Sequence, residues 1–505
     1  MSLLQRNVLA NFVGKGWAAV LGLAVVPLYI RILGIEAYGL IGFYITLQAV
    51  FAVLDLGLST TLNRELARFS ALPDRAQDMR NLVRTLEVIY WGVALFIGGL
   101  VMALSPFIAR YWVQAETIPV STVQLAVMLM GLVLAFQWPF GFYSGGLLGL
   151  QYQVLYNVLL VIMYTLRYAG VLLVLYFVSP TIEGYFLWQA GVSIFVTILT
   201  AITLWRVLPR TTHQPIFQRS LLSEVWRFAA GLSGISLTVL VLTQADKVIL
   251  SRILPLAQFG YYTLAWLVAN SLYLLVIPFF MALFPRFTDL VGTQNTEQLA
   301  DLYHSSSQIV AVLVFPISLG IAFFSKEILL FWTGDPVTVS NTYLLVTLLI
   351  LGTALHGMMN LPFALQLAYG WTKLALFTNL IAIAVLLPAL LILTSFWGTI
   401  GAAFIWLALN LGWFLLQIPV MHSRLLVDEK STWYRVDLAR PFLASLIVIV
   451  PGRWFVSHEV SSLAQLLSIG GVVCIAAIAA AIFTPVTQVF LTKLTMLIYR
   501  RLVPA

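Results

Sequence analysis

Apolar runs long enough to cross a bilayer follow one another along almost the whole 505-residue chain. A crossing helix needs about 20 mostly apolar residues to span a hydrocarbon core roughly 30 Å thick. Hydropathy places such runs at 10–32, 38–62, 84–107, 121–149, 154–178, 184–207, 225–254, 259–285, 305–332, 340–368, 373–396 and 398–422, with two more near 438–456 and 462–485. They are too long for barrel strands and lack the two-residue alternation such strands need. Only 9% of the residues are charged, against roughly 25% in soluble domains, which excludes a water-soluble fold. The expected class is an all-α polytopic membrane protein with about 14 transmembrane helices.

The same residues exclude most chemistry. Cys474, the single cysteine, lies in an apolar run and makes neither an internal disulfide nor a metal cluster. The five histidines lack metal-ligand spacing, and no Gly-rich phosphate loop or nucleophile elbow is present. No catalytic residue, metal or cofactor is therefore expected. Residues 1–6 precede a run too long for a signal-peptide core and without a small-residue cleavage site, so the first run reads as a retained span. A net charge of +8 would suggest nucleic acid in a soluble protein; here it is topology, and no nucleic-acid partner is expected. With the N-terminus cytoplasmic, 19 of the 27 Lys and Arg fall on that side, concentrated in 63–83, 208–224, 423–440 and the C-terminal end. Five fall outside (Arg31, Arg110, Arg252, Lys326, Arg453) and three within spans. That asymmetry puts both termini in the cytoplasm.

The chain also repeats itself. Arg31-Ile-Leu-Gly-Ile-Glu-Ala-Tyr-Gly39 returns 221 residues later as Arg252-Ile-Leu-Pro-Leu-Ala-Gln-Phe-Gly260. Gly149 meets Gly370 at the same offset, Ser105 and Trp112 meet Ser325 and Trp332 at 220, and Asn157 meets Asn379 at 222. Six spans, an even number, separate the copies, so both halves keep one orientation, as in repeats related by an axis along the membrane normal. Sites in such proteins lie between the halves. The expected organisation is a six-helix lobe over 1–210, a second over 211–424, and two additional helices with a basic tail over 425–505. The tail 486–503 reads as a helix resting on the cytoplasmic surface.

What remains is charge inside the membrane, where an ionised side chain costs about 2.5–3.5 kcal/mol on insertion scales and marks a pathway or a pair. Lys15 and Asp55 reach similar depth; they either pair, with snorkelling of Lys15 as the alternative, or line a cavity. Asp55 also shares a stripe with Tyr44, Gln48 and Ser59 that should face the interior. Arg167 sits near the middle of its span between Tyr164 and Tyr168, with no acidic residue in that span. Its partner is on another helix or is the substrate. Asp246 and Lys247 are adjacent and point about 100° apart, so they need not pair, while Ser236, Thr243 and Lys247 share a face. Tyr262, Trp266, Asn270 and Tyr273 form an aromatic and amide stripe that suits a sugar or an ordinary packed helix surface. His356 and Asn360 form a further polar face, compatible with proton coupling or with plain interhelical hydrogen bonds. Three cations against two carboxylates favour an anionic cargo.

The opening Tyr29-Ile-Arg31-Ile-Leu-Gly-Ile-Glu-Ala-Tyr-Gly-Leu, followed by Leu54-Asp-Leu-Gly-Leu-Ser-Thr-Thr-Leu-Asn-Arg64-Glu-Leu-Ala-Arg, resembles that of Wzx-type O-antigen and polysaccharide flippases. Gln244-Ala-Asp-Lys-Val-Ile-Leu-Ser-Arg-Ile-Leu resembles their seventh helix, and Gly398-Thr-Ile-Gly-Ala-Ala-Phe the start of their twelfth. The resemblance covers the twelve-helix body and extends to a superfamily that includes multidrug extruders and the lipid II flippase. It implies a V-shaped two-lobed transporter of the inner membrane that moves an undecaprenyl-diphosphate-linked oligosaccharide outward by alternating access. Implied partners are a glycan polymerase and a chain-length regulator, with H+ or Na+ as coupling ion. The family has no strict signature to carry over. Lys15, Arg167 and Lys247 are expected as diphosphate or cavity cations on physical grounds alone. A multidrug antiporter shares the fold, but would sit better with twelve helices and cavity carboxylates. A glycan-processing membrane enzyme normally needs a large periplasmic catalytic loop, and no loop here is long enough.

Overall fold

The computed structural model describes the backbone of residues 3–55, 57–72, 74–456 and 463–488, with side chains throughout except over 3–13 and 220–236. The expected surface helix at 486–503 lies outside these residues beyond Gln488, as does the side chain of Ser236. Contacts divide the chain into two compact units, Met1–Gly260 and Tyr261–Ala505.

The first unit holds α1 (Leu3–Leu33), α2 (Ile35–Ala52), α3 (Leu58–Ser70), α4 (Ala76–Phe107), α5 (Val120–Gly149), α6 (Gln153–Tyr164), α7 (Val171–Phe177), α8 (Ile182–Val207) and α9 (Arg219–Ile253). Helix α10 (Leu256–Asn270) starts at its end. The second continues with α11 (Tyr273–Gly292), α12 (Thr296–Phe323), α13 (Ser325–Thr333), α14 (Pro336–Ala368), α15 (Thr372–Gly412), α16 (Ile418–His422), α17 (Lys430–Thr432), α18 (Arg440–Phe455) and α19 (Leu463–Ile482). Twelve stretches among the described residues are long and apolar enough to cross a membrane. One of them, Thr372–His422, is two of the expected spans run together across a break at Gly398, where φ is 57°. Large apolar side chains lie bare in mid-helix, among them Phe96 at 68%, Leu416 at 72% and Ile447 at 72% exposure. Lipid covers such a surface at no cost, whereas water would not. The protein is a multi-pass membrane protein.

Three expected spans take a different course. The run 38–62 does not continue as one helix: after Ala52 a short 3₁₀ turn leads to Gly57, whose φ of 77° breaks the α-helical path. The chain restarts as α3, with Leu58, Leu62, Leu66 and Phe69 on one face against Leu82, Leu86 and Tyr90 of α4 and Phe142 and Leu147 of α5. Its other face carries Arg64 and Arg68, both bonded to Glu65. Hydropathy merged this amphipathic helix with α2 because Val53, Leu54, Leu56 and Leu58 carry the apolar run across the break. The run 259–285 is likewise broken at Ser271 and Leu272, between α10 and α11. The run 438–456 is longer than expected, since helix begins at Lys430 and reaches α18 through a π-turn at Trp433–Ala439.

Helix boundaries echo the sequence repeat: α4 and α12 begin 220 residues apart, and α6 and α15 begin 219 apart. Asp74 and Gln294, again 220 apart, both take positive φ (61° and 55°) just ahead of α4 and α12.

Close packing in the first unit depends on glycine. A Cβ on Gly98 of α4 would stand 2.6 Å from the Gly131 carbonyl oxygen of α5, and one on Gly131 would stand 2.7 Å from that of Gly98. Small residues let membrane helices approach to this range, where van der Waals contact replaces the missing hydrophobic drive. Gly131→Leu is expected to destabilise the protein by about 1–3 kcal/mol, read as a lower unfolding temperature in detergent at unchanged membrane insertion.

Candidate functional site

Arg167 lies in a π-turn, Thr165–Gly170, inserted between α6 and α7. Such a turn frees carbonyls from the regular ladder, and here three in succession accept side-chain donors. Trp188 Nε1 donates to the Leu166 oxygen at 2.8 Å, Gln189 Nε2 to that of Arg167 at 3.0 Å, and Tyr29 Oη to that of Tyr168 at 2.8 Å. Helix α1 braces the turn further through Trp17 Nε1, which donates to Thr165 Oγ1 at 2.9 Å. The backbone that carries Arg167 is thus held from two helices.

Its guanidinium is 7% exposed as part of the residue and is met by neutral groups. Nη1 donates to Gln137 Oε1 at 2.9 Å and Nη2 to Ser193 Oγ at 2.8 Å. Gln137 Oε1 also accepts from Tyr44 Oη at 2.5 Å and Gln48 Nε2 at 2.6 Å, so three donors crowd one amide oxygen. The buried Nε–H has no partner among the described residues. None of the ion pairs among those residues includes Arg167. A desolvated cation held only by neutral acceptors is an unfinished arrangement. The planar fork of the guanidinium suits two anionic oxygens. Gln48 and Gln137 are only half-buried, which leaves one side of the network accessible.

Other expected site residues fall elsewhere. Lys15 is exposed on α1 and makes no ion pair with Asp55. Asp55 instead accepts from Ser59 N at 3.3 Å and Ser59 Oγ at 2.8 Å, capping the restart at α3. Of the expected stripe, Tyr44 and Gln48 therefore reach the Arg167 network while Asp55 and Ser59 bond to each other. Asp246 and Lys247 do pair, at 3.2 Å, and Lys247 Nζ also donates to the Thr243 oxygen at 2.7 Å. Rotation by 100° separates their Cβ atoms, but the long lysine stem closes the gap.

In the second unit Trp266 is buried, packed edge-on to Trp406 with ring centres 4.9 Å apart, and Asn270 is exposed at the end of α10. Of the stripe that suits a sugar or an ordinary packed helix surface, Tyr262 and Trp266 are buried and Asn270 is exposed. His356 Nδ1 lies 2.9 Å from Tyr273 Oη, and Asn360 Nδ2 donates to the His356 oxygen at 3.0 Å. Trp413 stands beside the imidazole at 6.3 Å between centres, its buried Nε1–H without a partner among the described residues.

Gln137 and Ser193 were not singled out from sequence. Ser193 had a signal: Gln189, Ser193, Thr197 and Thr200 recur at helical spacing along α8, and all four are buried. Gln137 was a lone amide ahead of Pro139 and had none.

The described residues thus form two units of packed membrane helices, the first with a cation buried among polar side chains. The same fold occurs in a structure titled lipid II flippase MurJ, inward closed conformation, at 13% identity and a TM-score of 0.70, covering 98% of this chain and 100% of that one. It recurs in an inward-facing multidrug resistance MATE family transporter of the MOP superfamily, at 13% identity and 0.66, covering 85% and 100%. A MOP superfamily transporter from Pyrococcus furiosus, described as having a binding pocket of reverse polarity, matches at 15% and 0.53, covering 85% and 96%. No curated protein matches the sequence. The family model described as polysaccharide biosynthesis protein matches residues 4–291, and the chain belongs to that family.

Proposed function

We propose that the protein is a flippase for a lipid-linked oligosaccharide. Its cargo is an O-antigen or other polysaccharide repeat unit on undecaprenyl diphosphate, moved from the cytoplasmic to the periplasmic leaflet. Arg167 carries this reading: a buried cation met only by neutral side chains suits a diphosphate in transit. Lys15 and Lys247 are secondary cations on the same reading. Lobes at 1–210 and 211–424 rock in alternating access, driven by H+ or Na+, and a polymerase and chain-length regulator take up the exported unit. The polypeptide does no covalent chemistry.

A multidrug antiporter is the second reading, and the family and fold are compatible with it. Of the two within-span carboxylates Asp246 is paired with Lys247, which leaves Asp55, bonded to neutral Ser59, as the one a drug cation would use. Reconstitution separates the two. Proteoliposomes should expose a polyprenyl-diphosphate oligosaccharide to an external lectin in a protein-dependent way and should not accumulate lipophilic cations. Cation uptake without lectin accessibility would replace the flippase reading.

The protein belongs, on this proposal, in the inner membrane with both termini cytoplasmic. Reporters fused within 63–83, 208–224 and 423–440 and at both ends are all expected to read cytoplasmic. A periplasmic C-terminus with a cytoplasmic N-terminus would overturn that topology.

A further inference from the structure

One polar face of α12 grips the additional C-terminal helices. Ser307 Oγ accepts from Trp433 Nε1 at 3.2 Å, and Gln308 spans two elements, donating to Asp437 Oδ1 at 2.8 Å and accepting from Val486 N at 3.0 Å. His304, one turn earlier, stands between two carboxylates. Its Nδ1 lies 2.5 Å from Asp437 Oδ2 and its Nε2 lies 3.0 Å from Glu429 Oε2. Asp437 is fully buried.

The proton count follows from this geometry. A neutral imidazole has one donor and one acceptor nitrogen. Whichever tautomer it took, a lone pair would face a carboxylate oxygen. Both contacts are satisfied at once only when the cluster holds one proton beyond a neutral imidazole between two carboxylates, and the second carboxylate, Glu429, favours its place on the ring. The neighbouring His422 differs: its Nδ1 faces the Ile418 carbonyl at 3.1 Å, so it donates there, and its Nε2 accepts from Tyr303 Oη at 3.2 Å. A neutral imidazole therefore satisfies both contacts of His422. The ionisable groups around the cluster are Asp437, Glu429, Tyr303, Tyr434, His422 and Lys430, the last acting on His422.

A second feature lies beside it. Leu426 and Asp428 hold φ of 53° and 78°, the left-handed region that costs non-glycine residues energy. Leu426 is nonetheless buried. Strained backbone persists where surrounding contacts overdetermine it, and Glu429 follows immediately.

We propose that His304, Asp437 and Glu429 form a resident proton-binding site that, while occupied, latches the strained 426–429 segment and the helices after it onto α12. The bound proton supplies the positive charge that lets two carboxylates be packed against one helix. Its loss leaves Asp437 buried without a cation, and the latch opens. The inference is independent of the cargo.

Histidine-selective 15N labelling of the full-length protein in lipid nanodiscs tests it, since the chain has five histidines. The signal lost in His304→Gln identifies His304. At about pH 7.5 it is expected to show two protonated nitrogens, where an ordinary histidine is mostly neutral, while His422 shows a single Nδ1–H. A neutral His304 at that pH overturns the proton site. Asp437→Asn is expected to return the His304 signal to a neutral tautomer, and an unchanged imidazolium also overturns it. Amide hydrogen exchange over 426–440 reads the latch: His304→Gln should speed it about tenfold, and wild-type rates would overturn the latch. Should His304→Gln not fold, Glu429→Gln at the half-exposed rim serves. It is expected to move the pH at which the imidazolium signal disappears, and an unmoved pH overturns the clamp.

Discussion

Arg167→Ala is expected to lower transport per molecule about 10- to 100-fold, the worth of one hydrogen bond to a charged group, with abundance near wild type. A diphosphate entering a water-poor passage loses hydration that fixed donors must replace. The guanidinium is already in place, because its backbone is fastened through Leu166, Arg167 and Tyr168 to side chains of α8 and α1. Deleting it leaves Gln137 and Ser193 with other partners, Tyr44 and Gln48 for one and the Gln189 carbonyl for the other, so the fold should survive. Arg167→Lys keeps the charge but loses the planar fork and should retain only part of the activity. Lys247→Ala should cost less, since that charge is already neutralised by Asp246, and Lys15→Ala least, since it is exposed. Export of lipid-linked glycan and protein abundance, measured in the same cells, decide the matter. Reduced abundance with normal transport per molecule would make Arg167 structural.

Glu87→Ala should be the most destabilising of the substitutions considered, by about 2–4 kcal/mol, because it leaves the Tyr143 and Trp205 donors without their shared acceptor. Glu87 of α4 accepts from Tyr143 Oη of α5 at 2.7 Å and Trp205 Nε1 of α8 at 3.0 Å, and it pairs with Arg84 at 2.9 Å. Tyr143 is 1% exposed, so its hydroxyl would keep only the Trp91 Nε1–H, to which it is acceptor, and would have nothing to donate to. Glu87→Gln retains an acceptor and should cost much less. Thermal unfolding of the purified protein in detergent, followed by size-exclusion profile, ranks the three proteins. A Glu87→Ala melting temperature equal to that of wild type would show that these bonds are individually expendable.

Much was determined by the sequence alone. Apolar runs of about 20 residues admit only helices in a bilayer, because lipid offers backbone groups no hydrogen-bond partner. The helical membrane class, most span positions and the recurrence near 220 residues were therefore legible without coordinates. Arg167 was legible too, as a charge too deep to snorkel. Hydropathy averages composition over a window, however, and takes no account of a single backbone angle. It ran α2 into α3 across Gly57 and α10 into α11 across Ser271. Partnership was the other thing hidden. Whether Asp55 meets Lys15 or Ser59, whether Asp246 meets Lys247, and whether Arg167 meets a carboxylate or only Gln137 and Ser193 depend on rotamers and on helices distant in sequence. So does the clamp on His304, whose partners lie 125 and 133 residues away. Periodicity places a side chain on a face of its own helix; only tertiary packing decides what stands opposite, and a buried charge takes its role from that neighbour.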